Sequence, residues 1–190
     1  MRQTKVALLA FGANLPLEGV LPDQTILSAV QAFPNVNLAV PQLSRLFSTP
    51  CFPAGAGPDY VNAAALLQVG TGLSADALLA RLHQIEAMFG RKRETRWGMR
   101  TLDIDLLALG DQVLPDLETQ SHWRDLDPLL QAAAAPDRLI LPHPRLQDRA
   151  FVLMPLADIA PEWCHPVLRL TVAQMLAALP AAELVDMQPL

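Results

Sequence analysis

Two aspartates, Asp103 and Asp105, are spaced for metal chemistry within the apolar segment 101–109. Residues two apart in a β-strand project from the same face, so both carboxylates share one side while the apolar residues between them face a core. Two carboxylates this close oppose each other's ionisation, and a divalent cation removes that penalty. Mg²⁺ accepts one or two carboxylates and leaves its other positions to water and substrate phosphates. A solvated strand face, or pairing with nearby arginines, is the alternative for the Asp-x-Asp pattern alone.

A basic run precedes this segment in a chain whose formal net charge is -5. Arginine binds phosphate oxygens through two parallel hydrogen bonds, and its charge does not titrate away. The run leads directly into the two carboxylates, so the sequence combines the groups that a nucleoside triphosphate with Mg²⁺ requires. No GxxxxGK[ST] motif is present, so side chains must hold the phosphates. A solvated basic loop is the plainer interpretation of such a run alone. The cationic residues are Arg91, Lys92, Arg93, Arg96 and Arg100.

Two weaker clusters suit the same kind of site. His143 and Arg149 lie in one segment with two prolines, and their donors suit phosphate oxygens. Tyr60 and Asn62 share one face of an extended segment, where a ring for stacking stands beside an amide that donates and accepts. That pair suits a flat heterocycle with a mixed hydrogen-bonding edge. A structural histidine, a core tyrosine and a turn-forming asparagine are the alternatives for these residues taken alone.

The elements that must position these residues alternate along the chain. Extended apolar runs are predicted at 6–11, 36–47, 60–69 and 101–109, and an amphipathic helix follows the first and the third of them. Ser74 is expected to cap the second helix. The order strand, helix, strand, strand, helix, strand predicts an α+β fold, a ferredoxin-like α/β sandwich. Its mostly antiparallel sheet lies on one side and the helices pack on it from the other.

The pattern is weaker after residue 110. Gly110-Asp111 is predicted to turn into a short hairpin partner at 112–114, and an Ala/Leu-rich helix is predicted at 126–135. Two further helices are predicted at 150–156 and 172–179.

Composition excludes several classes of protein. Hydrophobic residues make up 52% of the chain and charged residues 17%, which supports a packed core and argues against disorder. The acidic balance offers no general basic surface for nucleic acid. No stretch approaches the ~20 apolar residues of a membrane span, and the run 6–11 is too short for a signal peptide. We therefore expect a cytoplasmic protein with two free thiols, Cys51 and Cys164, and with neither nucleic acid nor membrane as a partner.

Four motifs occur together and in a defined order. They are Gly12-Ala13-Asn14-Leu15, Asp59-Tyr60-Val61-Asn62-Ala63-Ala64, Arg96-Trp97-Gly98-Met99-Arg100-Thr101-Leu102-Asp103-Ile104-Asp105, and Leu141-Pro142-His143-Pro144-Arg145 through Arg149-Ala150-Phe151. With these motifs the chain resembles the 6-hydroxymethyl-7,8-dihydropterin pyrophosphokinase family over about residues 6–162. The resemblance implies a ferredoxin-like fold and transfer of diphosphate from ATP to the pterin hydroxymethyl group in folate biosynthesis, with release of AMP.

The resemblance also implies roles for individual residues. Asp103 and Asp105 would hold two Mg²⁺ ions that bridge ATP and the substrate hydroxymethyl, and Arg91 and Arg100 would act on the phosphates as catalytic residues. A mobile loop that carries part of the ATP site would close over both substrates. The other residues implied for ATP are Arg93, Arg96, Trp97, Leu106, His143 and Arg149. The residues implied for the pterin are Thr49, Pro50, Phe52, Tyr60, Asn62 and Phe151.

The chain departs from the family pattern in three places. Ala13 replaces a usual serine and Met99 a usual proline, and neither position is expected to carry chemistry. The segment near 116–138 is longer than the family needs, so we expect one domain over 1–190 with an insertion there. That insertion either covers the adenine side of the site or decorates the surface.

Two other functions remain open at this point. A palm-type nucleotidyl transferase also binds two metals with an Asp-x-Asp, but attack then falls on the α-phosphorus. A catalytically inactive pterin- or nucleotide-binding module is the other. Residues suited to a pterin have no purpose in the first, and the second predicts that metal or phosphate residues are missing. We expect a monomer that acts on small molecules.

Overall fold

The computed structural model describes residues 4–51, 57–90, 101–127, 130 and 135–190. The described strands are β1 (Thr4–Ala13), β2 (Gln42–Leu43), β3 (Phe47–Thr49), β4 (Tyr60–Gly70), β5 (Asp103–Leu109) and β6 (Gln188–Pro189). The described α-helices are α1 (Pro22–Gln31), α2 (Ala75–Met88), α3 (Leu117–Asp125), α4 (Ala150–Ile159) and α5 (Val172–Ala178).

The strands form an antiparallel sheet in the order β5-β1-β4-β3-β6, and β2 also pairs with β4. Strand β1 pairs with β4 along the whole length of β1, from Thr4 opposite Gly70 to Ala13 opposite Val61. With α1 after β1 and α2 after β4, this is the strand–helix–strand–strand–helix–strand order of a ferredoxin-like sandwich. The predicted fold class is confirmed.

Helices cover both faces of the sheet, whereas the sequence predicted them on one. Alternate residues of β1 enter two separate cores, because successive side chains of a strand point to opposite faces. Leu9 and Phe11 pack with α1 and α2, and this side of the sheet is called the α1/α2 face. Leu8 and Ala10 pack with α4 and α5 on the α4/α5 face.

Local signals explain why α2 begins and ends where it does. The Ser74 hydroxyl accepts a hydrogen bond from the Ala77 N–H at 3.2 Å, which satisfies one of the unpaired donors of the first turn. Gly90 follows the helix with a φ of 76°, a conformation that glycine adopts without steric cost. The predicted cap and the predicted glycine stop are both confirmed.

Three local predictions were wrong or lie outside the described residues. The run 36–47 is not one strand, because a 3₁₀ helix occupies Phe33–Val36 and β2 and β3 are short. Leu114 pairs with Leu141, and not in a hairpin with β5. The predicted helix at 126–135 falls largely on undescribed residues, while α3, which was not predicted, precedes it. Both cysteines are free thiols, as predicted.

A buried histidine in the loop between α4 and α5 couples stability to pH. The His165 Nδ1 accepts hydrogen bonds from the N–H groups of Val167 and Leu168 at 3.2 and 3.1 Å. Burial, and then the charge of Arg124, lower the pKa of His165 to about 4. An unfolded histidine titrates near pH 6.5, so the unfolded chain gains a proton at a higher pH than the folded chain. The stability that depends on neutral His165 is complete above about pH 6.5 and is lost as the pH falls toward 4.

The first prediction is that His165→Asn flattens this acid dependence. The asparagine Oδ1 can replace Nδ1 as the acceptor, but it does not titrate. Between pH 6.5 and 4.5 the free energy of unfolding of the variant should fall on the order of 1–2 kcal/mol less than that of the unaltered chain. Urea denaturation at several pH values measures this, and parallel curves for the two proteins would contradict it.

Candidate active site

Strand pairing brings the chemically active residues into rows at one end of the sheet. The first row runs Asp103, Gly12, Asn62, Phe47 across β5, β1, β4 and β3. In the next row Asp105 lies opposite Ala10. Paired residues in a sheet share a face, and Ala10 belongs to the α4/α5 face. The two carboxylates and the Asn62 amide therefore project from the same face at neighbouring positions.

The two aspartates alternate with core residues, as predicted. Leu102 and Ile104 are buried on the α1/α2 face, while Asp103 and Asp105 are half-buried on the other. Leu106, which the resemblance implies for ATP binding, is only 3% exposed and packs in the α1/α2 core. Its side chain thus lies on the face opposite the carboxylates, and only its main chain remains available to a nucleotide.

Helix α2 fixes the strand segment that carries the carboxylates. The Ile104 N–H, between the two aspartates, donates to Oε1 of the buried Glu86 at 2.7 Å. The Thr101 hydroxyl donates to the Phe89 carbonyl at 2.7 Å. This hydrogen bond joins Thr101, which follows the basic segment, to Phe89, which precedes it. Glu86 was not among the predicted site residues, although it lies four residues after the core residue Leu82 and so shares the buried side of the helix.

A histidine and an arginine are coupled electrostatically to the carboxylates. The Arg145 N–H donates to His143 Nδ1 at 3.1 Å, which assigns the proton of the neutral ring to Nε2. Burial lowers the pKa of His143 to about 3, and the charges of Arg149 and Arg145 contribute. His143 is therefore a neutral donor at physiological pH. Burial also lowers the pKa of Arg149, while the carboxylates of Asp105 and Asp103 oppose that shift.

An amide and an aromatic ring occupy the other half of the site. Asn62 is only 5% exposed, and its Nδ2 donates to the Thr49 hydroxyl at 2.7 Å. The Asn62 Oδ1 lies 3.3 Å from the position that a Cβ on Gly12 would occupy. Phe151 is 39% exposed, and the Arg149 guanidinium carbon lies 5.6 Å from its ring centroid. Tyr60 pairs with Thr49 at the end of β3.

The remaining predicted site residues are divided between described and undescribed parts of the chain. Pro50 is exposed directly after β3. Phe52, which the resemblance implies for the pterin, lies outside the described residues, as do all the predicted residues of the basic segment. The latter are Arg91, Arg93, Arg96, Trp97 and Arg100.

The carboxylate pair has the donor chemistry that magnesium prefers. Asp103 and Asp105 supply hard oxygen ligands from one strand face, and Mg²⁺ completes its coordination with phosphate oxygens and water. Across the described ranges, no group of three or more His, Cys, Asp or Glu side chains is arranged to hold a metal ion. Two carboxylates on one strand face fit an ion that takes its remaining ligands from a phosphate substrate and water.

None of the helices in the described part of the chain has the length and apolar character that crossing a bilayer requires.

Comparisons with known proteins agree on one family. The family model for 7,8-dihydro-6-hydroxymethylpterin-pyrophosphokinase (HPPK) matches residues 8–161. A 2-amino-4-hydroxy-6-hydroxymethyldihydropteridine pyrophosphokinase of Pseudomonas aeruginosa is 39% identical over 175 residues, which cover 90% of each chain. A protein of the same name from Synechocystis is 39% identical over 133 residues, 70% of this chain and 54% of that one.

Solved structures resemble the chain in fold. The wild-type Plasmodium falciparum HPPK-DHPS crystal structure matches with a TM-score of 0.61 at 16% sequence identity, over 93% of this chain and 45% of that one. The chain therefore spans about half the length of the Synechocystis relative and of the Plasmodium protein.

Proposed function

The chain belongs to the 7,8-dihydro-6-hydroxymethylpterin-pyrophosphokinase family, and we propose that it transfers a diphosphate from ATP to the hydroxymethyl group of 6-hydroxymethyl-7,8-dihydropterin, in folate biosynthesis. One observation carries the proposal. The sheet register puts the carboxylate pair and the Asn62 amide on one face in adjoining rows. A phosphate-binding half and a heterocycle-binding half thus adjoin, as a transfer between ATP and a pterin requires.

The proposed reaction forms one bond to the β-phosphorus of ATP and breaks one. The pterin hydroxymethyl oxygen releases its proton to the solvent and forms a bond to the β-phosphorus of ATP. The bond from that phosphorus to the α,β-bridging oxygen breaks, and AMP leaves with the bridging oxygen. Transfer of this kind depends mainly on positioning and charge neutralisation. Mg²⁺ at Asp103 and Asp105, for which we expect two ions, would supply charge neutralisation at the phosphates.

We assign the phosphate half to cationic and neutral donors of the chain. Arg149 offers a guanidinium fork beside the carboxylates, and neutral His143 offers Nε2–H without adding charge. From the basic segment, Arg91 and Arg100 would act directly on the phosphates, and Arg93, Arg96 and Trp97 would help to enclose ATP. Closure of that segment would exclude water from the transfer.

We assign the pterin half to the amide and the aromatic rings. Asn62 is oriented by Thr49 and reads the mixed hydrogen-bonding edge of the heterocycle. Tyr60 and Phe151 would stack on its two sides, and the main chain near Thr49, Pro50 and Phe52 would complete the edge contacts.

Four wider features belong to the same proposal. The chain forms one domain over 1–190 with an insertion near 116–138. It acts as a monomer in the cytoplasm, on small molecules alone. Neither alternative function gains support. A nucleotidyl transferase has no use for the Asn62 half of the site. An inactive module would be expected to lack metal or phosphate residues, and the carboxylates, His143 and Arg149 are present.

Product analysis tests the proposed activity. The purified chain with ATP, Mg²⁺ and 6-hydroxymethyl-7,8-dihydropterin is expected to form AMP and pterin diphosphate in equal amounts, measured by chromatography, and to form no AMP when the pterin is omitted. Pterin binding without AMP formation would instead identify an inactive binding module.

Space above Gly12 gives a prediction about pterin affinity. In Gly12→Ala the added Cβ would lie 3.3 Å from Asn62 Oδ1, and the hydrogen bond to Thr49 restrains Asn62 from moving away. We expect the KM for the pterin to rise about fivefold, the effect of roughly 1 kcal/mol of crowding, with little change in the KM for ATP. Steady-state kinetics measure both constants.

Gly72→Ala is the matched control, because a Cβ there meets no atom within 4 Å. Its constants should equal those of the unaltered chain. A selective rise in the KM for ATP in Gly12→Ala would show that Asn62 does not face the pterin.

A further inference from the structure

The inserted segment contains one glutamine that is wholly buried. Gln120 is 0% exposed, and it is the buried residue of α3, a helix whose other residues are mostly polar and are exposed or half-buried. Its Nε2 donates to the Pro142 carbonyl at 3.2 Å. Its Oε1 accepts from Arg124 Nη1 at 3.3 Å. Both ends of the amide are therefore engaged.

The burial of an amide at this position calls for a specific partner. A polar side chain loses its hydration when it is buried, and that loss is offset only if hydrogen bonds replace the water. Proline has no N–H, so the carbonyl is the single main-chain hydrogen-bonding group that Pro142 can offer. Gln120 satisfies that carbonyl, where an apolar side chain would leave it without this donor.

The same peptide unit is held from its other side. The N–H of His143 belongs to the peptide whose carbonyl is that of Pro142, and it donates to the Leu107 carbonyl of β5 at 2.7 Å. The peptide plane between Pro142 and His143 is thus fixed between the inserted helix and the strand that carries Asp103 and Asp105. The Arg145 N–H then fixes the His143 ring through Nδ1.

We infer that Gln120 is a positioning residue for ATP: it fixes the Pro142–His143 peptide so that His143 Nε2–H points at the phosphates. The insertion then serves the nucleotide side of the site, and does not merely decorate the surface. This inference rests on the proposed function, because it assigns His143 to ATP.

The test replaces the amide by a side chain of similar shape. Gln120→Met is expected to raise two constants by about fivefold, which corresponds to one hydrogen bond. They are the Kd for α,β-methylene-ATP, measured in the presence of Mg²⁺, and the KM for ATP. The KM for the pterin should stay within twofold. Gln31→Met, at an exposed position in α1, is the matched control and should leave all three constants unchanged.

A double-mutant cycle shows whether Gln120 acts through His143. In a His143→Ala background, Gln120→Met should cause no further loss of nucleotide affinity. Should Gln120→Met fail to fold, Gln120→Glu keeps an acceptor for Arg124 and removes the donor to Pro142, so it is expected to give the same fivefold effect.

Three results would overturn the inference. One is unchanged nucleotide constants in a folded Gln120 variant that has only a lower Tm. Another is an undiminished fivefold loss in the His143→Ala background. A third is an equal loss of pterin affinity. Failure of the proposed function has a different signature, because the unaltered chain would then form no AMP while nucleotide binding by the variants could still be compared.

Discussion

Replacing Asp103 or Asp105 by asparagine is expected to lower kcat about a thousandfold at saturating substrates. Asparagine keeps the shape of the side chain and removes its charge, so the strand should remain intact while the metal loses an anionic ligand. The loss should fall mainly on kcat, because charge neutralisation matters most where charge shifts between the phosphates. Affinity for the pterin should change by only a few-fold, since Asn62, the residue that we assign to the pterin, is unaltered.

Kinetics over a range of Mg²⁺ concentrations measure this effect. Both variants should also need more Mg²⁺ to reach half of their remaining activity. Asp111→Asn, an exposed aspartate shortly after β5, is the matched control and should retain full activity. Activity within tenfold of the unaltered chain for both Asp103→Asn and Asp105→Asn would contradict the assignment of these carboxylates.

Arg149→Met is expected to lower kcat/KM for ATP about a hundredfold. Arg149 is half-buried, and its charge is coupled to the carboxylates of Asp105 and Asp103, so it is placed to make a fork-shaped phosphate contact. Methionine retains much of the side-chain volume and removes the fork. Since the guanidinium also lies over the Phe151 ring, a smaller loss of pterin affinity should accompany the main effect.

Two further variants identify the cause. Arg149→Lys keeps the charge but not the fork, so it should recover only part of the loss. Arg81→Met is the matched control, because its guanidinium makes only an exposed hydrogen bond, from Nη1 to the Asn37 carbonyl at 3.0 Å, among the contacts of the described residues. If Arg149→Met altered the KM for the pterin alone, Arg149 would belong to the pterin half.

Period-two alternation made the carboxylate site predictable, but only within its own strand. It places Asp103 and Asp105 on one face, because successive strand residues point to opposite sides. It carries no information about which strand lies alongside. The positions of Gly12 and Asn62 beside Asp103 depend on pairing between segments far apart in the sequence. Before the structure, only the family motifs indicated that these segments belong to one site.

The two-sided core had a signal in the sequence. The run 6–11 is continuously apolar and does not alternate, as is typical of a strand buried on both faces. In the structure, neighbouring residues of β1 enter opposite cores. Helices on both faces follow directly from that burial, and the prediction of helices on one side overlooked it.

Helix α3 could not be found by periodicity. Hydrophobic patterns reveal a helix when apolar residues recur every three or four positions, and α3 buries a glutamine in place of such a stripe. The pairing of Leu114 with Leu141 also links distant segments, so local turn residues could not predict it. Polar contacts of this kind, including that of Glu86 with Ile104, become visible only in three dimensions.

Positional labelling of ATP tests the central claim most directly. That claim is that the pterin oxygen attacks the β-phosphorus of ATP, so that the β- and γ-phosphates are transferred together. The chain is incubated with Mg²⁺, 6-hydroxymethyl-7,8-dihydropterin and ATP that carries ³²P at either the α- or the β-phosphorus. We predict that the β-label appears in the pterin product while the α-label remains in AMP. A β-label retained in ADP would mean transfer of a single phosphoryl group, and an α-label in the pterin product would mean nucleotidyl transfer. Either result would contradict the account.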